Sequence, residues 1–240
     1  GISDELHGDI KFSNVSFGYG GNNILKNISL IFDENKTIGI VGESGAGKTT
    51  ITRALLKNNN DLTLSVSATT RGRRAGEVNK QDYYFVSPDE FRDMVDNGEM
   101  LEHAKVFENY YGTPRGPVEQ ALSEGRDVIF DIDWQGTQQL SEIAREDLVT
   151  VFILPPARSA LEKSLRNRSK DTMESESDIR GRMEKAADEM SHYTEYDYVI
   201  INEDVDEAIR KAQLILDAER IKRRRMVGLS EFVRGLKGGL

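Results

Sequence analysis

The chain has 240 residues, with 41 acidic against 32 basic side chains, a net charge of −9 and no cysteine. An acidic chain gains nothing from counterion release on nucleic acid or on an anionic membrane, and without cysteine there are no disulfides and no thiolate metal sites. The three histidines His7, His103 and His192 are scattered, which argues against a histidine zinc site, and no apolar run approaches the roughly 20 residues of a membrane span.

This length allows one large domain or two small ones with a sizeable core. No signal peptide is visible, so a soluble, cytoplasmic protein is expected. Gly1-Ile2-Ser3, without an initiator Met, reads as a processed or tag-cleaved end.

Ile10, Phe12, Val15 and Phe17 approximate strand alternation, and Ile24 to Phe32 reads as a second strand. The join Gly20-Gly21-Asn22-Asn23 predicts that the two pair antiparallel, as an added β-layer. Asp33 to Lys36 turns into a third strand that carries Ile38, Ile40 and Val41. Next come Gly42-Glu43-Ser44-Gly45-Ala46-Gly47-Lys48-Thr49, which fit G-x-x-x-x-G-K-[ST], and Thr50 to Lys57 with helical spacing.

Asn58 to Asp61 is a break, and Leu62 to Ser67 reads as a strand. Strands and helices then alternate. Helices are expected over Pro88 to Asn97, Pro114 to Glu124, Trp134 to Glu146, Arg158 to Arg168 and Ser175 to Met190, with a long one over Val205 to Arg225. Strands are expected over Met100 to Phe107, Val128 to Phe130, Val149 to Leu154 and Val199 to Ile201. This alternation predicts an α/β fold, a mostly parallel sheet flanked by helices. The basic run Arg220, Lys222, Arg223, Arg224 and Arg225 reads as dipole complementation on a solvated face.

The glycine-rich loop has a physical meaning in this setting. Glycines let the backbone curl until its N–H groups face an anion, and the helix that follows adds partial positive charge. Gly42 to Thr50 are therefore the expected ATP-binding residues. Lys48 would reach the outer phosphates and Thr49 would offer its hydroxyl to Mg²⁺. A glycine-rich turn that merely caps a helix is the plainer alternative, disfavoured by the strand, loop, Lys-Thr and helix occurring together.

Downstream, several segments share a second pattern. They include Ser67-Ala68-Thr69-Thr70-Arg71-Gly72-Arg73-Arg74-Ala75-Gly76-Glu77, Asp82-Tyr83-Tyr84-Phe85-Val86, Leu101-Glu102-His103-Ala104, Asn109-Tyr110-Tyr111-Gly112-Thr113, Asp131-Ile132-Asp133-Trp134-Gln135-Gly136 and Ala187-Asp188-Glu189-Met190-Ser191-His192-Tyr193. Together they resemble the guanylate kinase family. The resemblance implies a P-loop NTPase fold and Mg²⁺-dependent transfer of a phosphoryl group from ATP to GMP. These small nucleotides would be the partners, with neither nucleic acid nor membrane, and the oligomeric state stays open.

The residue chemistry agrees with this. Arg71 and Arg74 can both fork onto phosphate oxygens, and Tyr83 and Tyr111 can add hydroxyl donors. Glu102 can accept from the N1–H and N2–H groups of guanine, Thr113 can accept from N2, and Ser67 can donate to O6. By resemblance these are the family's GMP-binding positions. Taken singly, the tyrosines would be strand aromatics and the arginines a solvated loop.

Asp131 ends an apolar strand, where Mg²⁺-linked carboxylates sit in phosphate-loop enzymes. Asp131 and Asp133 also match family positions near the acceptor nucleotide and the metal, with a purely structural carboxylate as the alternative. Arg168 and Arg182 match lid arginines, and Asn202 matches a position close to the adenine. Two departures stand out. Ser164 replaces a usual arginine, for which Arg166 would substitute, and the stretch from Arg168 to Arg182 is longer than usual.

Residues 9 to 50 resemble something else. Asp9 to Tyr19, Ile24 to Leu30 and Lys36 to Gly45 look like the start of an ABC-transporter ATPase domain, in which the residue matching Tyr19 stacks on adenine. The later motifs of that family are missing. The expected organisation is an ABC-ATPase-like β segment over 1–41 and a guanylate-kinase-like domain over 42–240, an engineered chimera, with a natural kinase carrying an unrelated extension as the alternative. Within the second part, the GMP-binding region would span about 67–115 and the lid about 164–190. The alternatives in function are a non-catalytic guanylate-kinase-like binding module, or an ABC ATPase fragment that binds ATP without turnover.

Overall fold

A computed structural model describes residues 10–19, 22–32, 37–42, 46–106, 108–172, 176–226 and 228–238. The chain opens with strands β1 (Ile10–Tyr19), β2 (Asn22–Phe32) and β3 (Thr37–Gly42), the last feeding helix α1 (Lys48–Asn58) and strand β4 (Leu62–Leu64). Short strands β5 (Ala68–Thr69) and β6 (Tyr84–Phe85) follow, then helix α2 (Pro88–Asp96), the hairpin of β7 (Met100–Val106) and β8 (Asn109–Pro114), and helix α3 (Arg115–Ser123). The second half runs β9 (Asp127–Ile132), α4 (Trp134–Ala144), β10 (Leu148–Leu154), α5 (Arg158–Thr172), α6 (Glu176–Ser191), β11 (Tyr198–Ile201), α7 (Val205–Arg220) and α8 (Leu229–Gly238).

Five strands form a wholly parallel sheet in the order β11-β10-β3-β9-β4. Period-two alternation divides β9 between the two faces of this sheet. Ile129 joins Ile51 and Leu55 of α1 and Ala212 and Leu216 of α7. Val128, Phe130 and Ile132 turn the other way, onto Val118 of α3 and Leu140 of α4. Because both faces are covered, β10 is buried from Leu148 to Ile153 and apolar except at Thr150, rather than alternating. Burying Phe130 and Phe152 completely contributes roughly 1.5–3 kcal/mol each.

The helices start where their local chemistry says they should. Ser87 and Glu90 form a capping box with Pro88 at the start of α2. Asp133 caps α4 by accepting from Gly136 N–H, and Asp204 caps α7 by accepting from Glu207 N–H.

The strand expected over Leu62 to Ser67 is divided. β4 ends at Leu64, Ser65 N–H still donates to the Ile129 carbonyl, and the Ser67 carbonyl accepts from Tyr84 N–H. The chain thus passes in three residues from the parallel sheet to a second one, ordered β6-β5-β8-β7. That sheet carries the expected GMP-binding segments.

At the amino end, β1 and β2 pair antiparallel, from Ile10 against Phe32 to Tyr19 against Asn22. They make a two-stranded sheet of their own. A domain boundary at residue 41 falls inside β3, which lies between β9 and β10 in the parallel sheet.

Helix α7, expected to run on to Arg225, ends at Arg220, and a 3-10 turn spans Arg223–Arg225 ahead of α8. The basic run is not a solvated face. Arg220 reaches Asp127 at 2.7 Å and Asp61 at 2.9 Å. Arg225, 4% exposed at its side chain, pairs with the buried Glu219 at 3.3 Å. Lys222 reaches the same carboxylate, which also accepts from the Tyr198 hydroxyl. Only Arg223 and Arg224 of the run are exposed.

Candidate active site

A cleft of about 330 Å³ opens where β9 and α1 meet the second sheet and α6. Eleven expected residues line it: Lys48, Thr49, Ser67, Arg71, Arg74, Tyr83, Glu102, Tyr111, Asp131, Asp133 and Arg182.

On the donor side, Gly47 adopts φ 100°, a left-handed conformation, immediately before α1. A Cβ there would also stand 2.4 Å from Asn202 Nδ2, so the position admits only glycine. Asn202 Nδ2 donates to the Ala46 carbonyl at 2.7 Å, which ties the end of β11 to the loop. Lys48 Nζ lies 3.4 Å from Asp131 Oδ1, and the Thr49 hydroxyl donates to Asp131 Oδ2 at 3.3 Å. Thr50, exposed in the first turn of α1, donates its N–H to the Gly47 carbonyl. Gly42 ends β3, whereas Glu43, Ser44 and Gly45 lie outside the described residues.

The Thr49 hydroxyl and the Asp131 carboxylate bring two oxygens together beside Lys48. Such a pair suits Mg²⁺, which uses one or two protein groups and fills its remaining positions with water and phosphate oxygens. Among the described residues no cluster of three or more His, Asp or Glu offers a fuller cage.

On the acceptor side, Arg71 lays its guanidinium over the Tyr83 ring, 5.3 Å from the centroid. It donates bidentately to Glu77, at 2.7 and 3.1 Å. Glu77 also accepts from the Arg74 backbone N–H at 2.7 Å. Burial works against the Arg71 charge, but Glu77 more than offsets it and raises the Arg71 pKa. Hydrogen bonding to Arg71 lowers the Glu77 pKa in turn. The Tyr83 and Tyr111 rings meet edge to face, and burial raises the Tyr83 pKa, with the Asp131 charge adding to it.

Glu102 lies at the deep end, 4% exposed. Burial pushes its carboxyl up to about 7; the Thr113 hydroxyl, donating at 2.6 Å, pulls the other way. Thr113 stands behind Glu102, fully buried, and does not line the cleft itself. Asp133 does line it, and its oxygens also accept from Gly136 N–H and the Gln135 amide, both at 3.1 Å. Asp133 thus serves a structural role as the cap of α4 while also lining the cleft.

Arg168 sits in α5, but its side chain lies outside the described residues, as does that of Tyr19 at the end of β1. Arg166, expected to replace a lid charge, pairs with Glu162 one turn back and does not line the cleft.

Sequence reasoning missed three charged groups of the cleft: Glu77, Lys185 and Glu189. Glu77 belongs to the same loop segment as Arg71 and Arg74. Lys185 and Glu189 follow Arg182 at i+3 and i+7, a helical face that the expected helix over Ser175 to Met190 already contained. Burial raises the Glu189 pKa, opposed by Lys48 and then Lys185.

A family model described as "Guanylate kinase" matches residues 34–219. The guanylate kinase of Paramagnetospirillum magneticum is 58% identical over 196 residues, covering 82% of this chain and 90% of the relative. That of Bradyrhizobium diazoefficiens is 59% identical over 197 residues, covering 82% and 89%. A crystal structure of guanylate kinase from Anaplasma phagocytophilum superposes with a TM-score of 0.70 at 37% identity, over 83% of this chain and 93% of that one.

Proposed function

The chain belongs to the guanylate kinase family, and on that premise we propose how its residues divide the work. It is an ATP:GMP phosphotransferase that moves the γ-phosphoryl group of ATP to GMP, giving ADP and GDP. Lys48 and the loop from Gly42 to Thr50 hold the ATP phosphates, with Asn202 on the adenine side. Arg71, Arg74, Tyr83 and Tyr111 hold the acceptor phosphate. Glu102, backed by the Thr113 hydroxyl, reads the guanine with Ser67, and Asp133 lies near the acceptor nucleotide.

Thr49 and Asp131 are the residues that would hold Mg²⁺, which when bound neutralises charge on the transferring group. Arg182, with Arg168, brings positive charge from the lid helices. No general base is required, because positioning and charge neutralisation account for most of phosphoryl transfer. Among the described residues no helix is long and apolar enough to cross a membrane. The protein's substrates ATP and GMP favour a cytoplasmic location.

The observation that carries this division is the single cleft holding both halves. Lys48, Thr49 and Asp131 stand at one side, and Arg71 and the buried Glu102 at the other. An ADP-release assay with GMP, AMP or no acceptor tests it. GMP should drive turnover with AMP far behind. Equal rates with GMP and AMP would remove Glu102 as the guanine reader. ATP loss without acceptor would favour an ABC-type fragment, and no turnover at all a binding module.

Residues 1–41 are proposed as an ABC-ATPase-like β segment fused ahead of the kinase domain. This reading rests on the segments quoted for it alone; the family match begins at residue 34, inside the segment, and β3 belongs to the kinase sheet. If Tyr19 stacks on adenine, Tyr19→Ala weakens ATP by roughly 1 kcal/mol and leaves GMP affinity unchanged. Unchanged ATP affinity would end that assignment.

A further inference from the structure

We propose that Lys185 is a phosphate-contacting cation of the reaction, and that Glu189 is the positioning residue that holds its ammonium inside the cleft. The proposal rests on the kinase reading above. Arg182, Lys185 and Glu189 share one face of α6, and all three line the cleft with Lys48, Asp131 and Asp133. The neighbouring face of the same helix, Ile179, Met183 and Ala186, packs on Leu161 and Leu165 of α5. α6 is therefore anchored by its apolar stripe and turns its charged stripe toward the reacting groups.

Lys185 Nζ lies 3.6 Å from Glu189 Oε1, with side-chain exposures of 25% and 13%. Arg180, Glu184 and Asp188 of the same helix are exposed, as solvated charges normally are. A helix-stapling role does not explain the inward pair. Lysine precedes glutamate here, the weaker order for an i,i+4 pair, and sheltering two charges from water carries a desolvation cost. The location offers a reason for that cost. Lys48, Lys185 and Glu189 line the same cleft, so the two lysines border the same space. A transferring phosphoryl group spreads negative charge over three oxygens and is stabilised by cations converging on it. The flexible lysine stem lets the ammonium pass from the Glu189 carboxylate to a phosphate oxygen without moving the helix. Until nucleotide arrives, Glu189 occupies the ammonium as the phosphate would.

The test is steady-state ADP release by the full chain with ATP and GMP, alongside thermal melts. Lys185→Met should lower kcat about ten- to a hundred-fold, the range for removing one charge-assisted hydrogen bond from a transition state, with KM for GMP unchanged. Lys185→Arg should recover most of the activity. Glu189→Gln should lower kcat about five-fold at unchanged KM for GMP, since the cation remains but is less well placed. Melting midpoints should stay at the wild-type value. Wild-type kcat in Lys185→Met overturns the proposal, and so does a decrease in both Lys185→Met and Lys185→Gln that tracks a lowered midpoint. A wild-type chain without GMP-dependent turnover overturns the kinase reading and this proposal with it, whereas a turning-over wild type with an unaffected Lys185→Met removes the proposal alone.

Discussion

Gly136 and Glu102 press against each other: a Cβ added to Gly136 would stand 2.4 Å from Glu102 Oε2. Gly136 lies in the first turn of α4, where alanine would otherwise favour the helix by about 1 kcal/mol. Gly136→Ala should therefore leave the melting temperature near the wild type while pushing the Glu102 carboxylate out of place. The expected outcome is a KM for GMP raised about ten-fold, the cost of one misplaced charge-assisted hydrogen bond, with KM for ATP unchanged. An unchanged KM for GMP would show that Glu102 does not meet the guanine.

The pH dependence of stability follows from the same carboxyl. Burial lifts the Glu102 pKa from 4.5 to about 7, so between those values the folded chain keeps a proton that the unfolded chain has released. The contribution of this group to stability is then fully present below pH 4.5 and is lost as pH rises toward about 7, by about 3 kcal/mol. Glu102→Gln should remove that loss and melt above the wild type at pH 8, while losing its preference for GMP. Denaturation curves at pH 5 and pH 8 for both proteins check the sign.

Arg71 offers a fork rather than a point charge, and Glu77 takes one edge of it. Arg71→Ala should weaken GMP by about 1.5–3 kcal/mol while leaving ATP largely unaffected. Arg71→Lys should not restore it, because an ammonium cannot answer Glu77 bidentately and still present a planar edge. Full rescue by lysine, read as KM for GMP, would contradict this geometry.

Lys48→Ala should abolish turnover at an unchanged melting midpoint. Lys48 touches Asp131 and the Ile132 carbonyl at the cleft and takes no part in the apolar clusters. Turnover at the wild-type rate would exclude the phosphate loop as the donor site.

Far from the cleft, Arg225→Met leaves the Glu219 carboxylate, 3% exposed, with one charged partner fewer. Because Glu219 keeps Lys222 and the Tyr198 hydroxyl, the loss should cost about 1.5–3 kcal/mol of stability, visible in urea melts, with no change in KM for either nucleotide.

Local chemistry alone predicted much of this molecule. The phosphate loop, the alternation of strands and helices behind it and the apolar run that becomes β10 are all statements about neighbouring residues. Ser67, Arg71, Arg74, Tyr83, Glu102 and Tyr111, which line the cleft, stand out in the sequence because each sits in a short segment that resembles the family's. The pieces that escaped were decided by pairing across the chain. β5 and β6 are two residues each, too short to carry a period, and exist because β8 and each other's edges supply hydrogen bonds. The basic run looked solvated because its partners Asp61 and Asp127 are remote in sequence and meet Arg220 only after β4 and β9 pair. Glu77, Lys185 and Glu189 are ordinary charged residues on a loop and a helix. What singles them out is the wall they share with Lys48 and Arg71, and only folding brings those surfaces within reach, since a charge acts over a few ångströms of space and not along the chain.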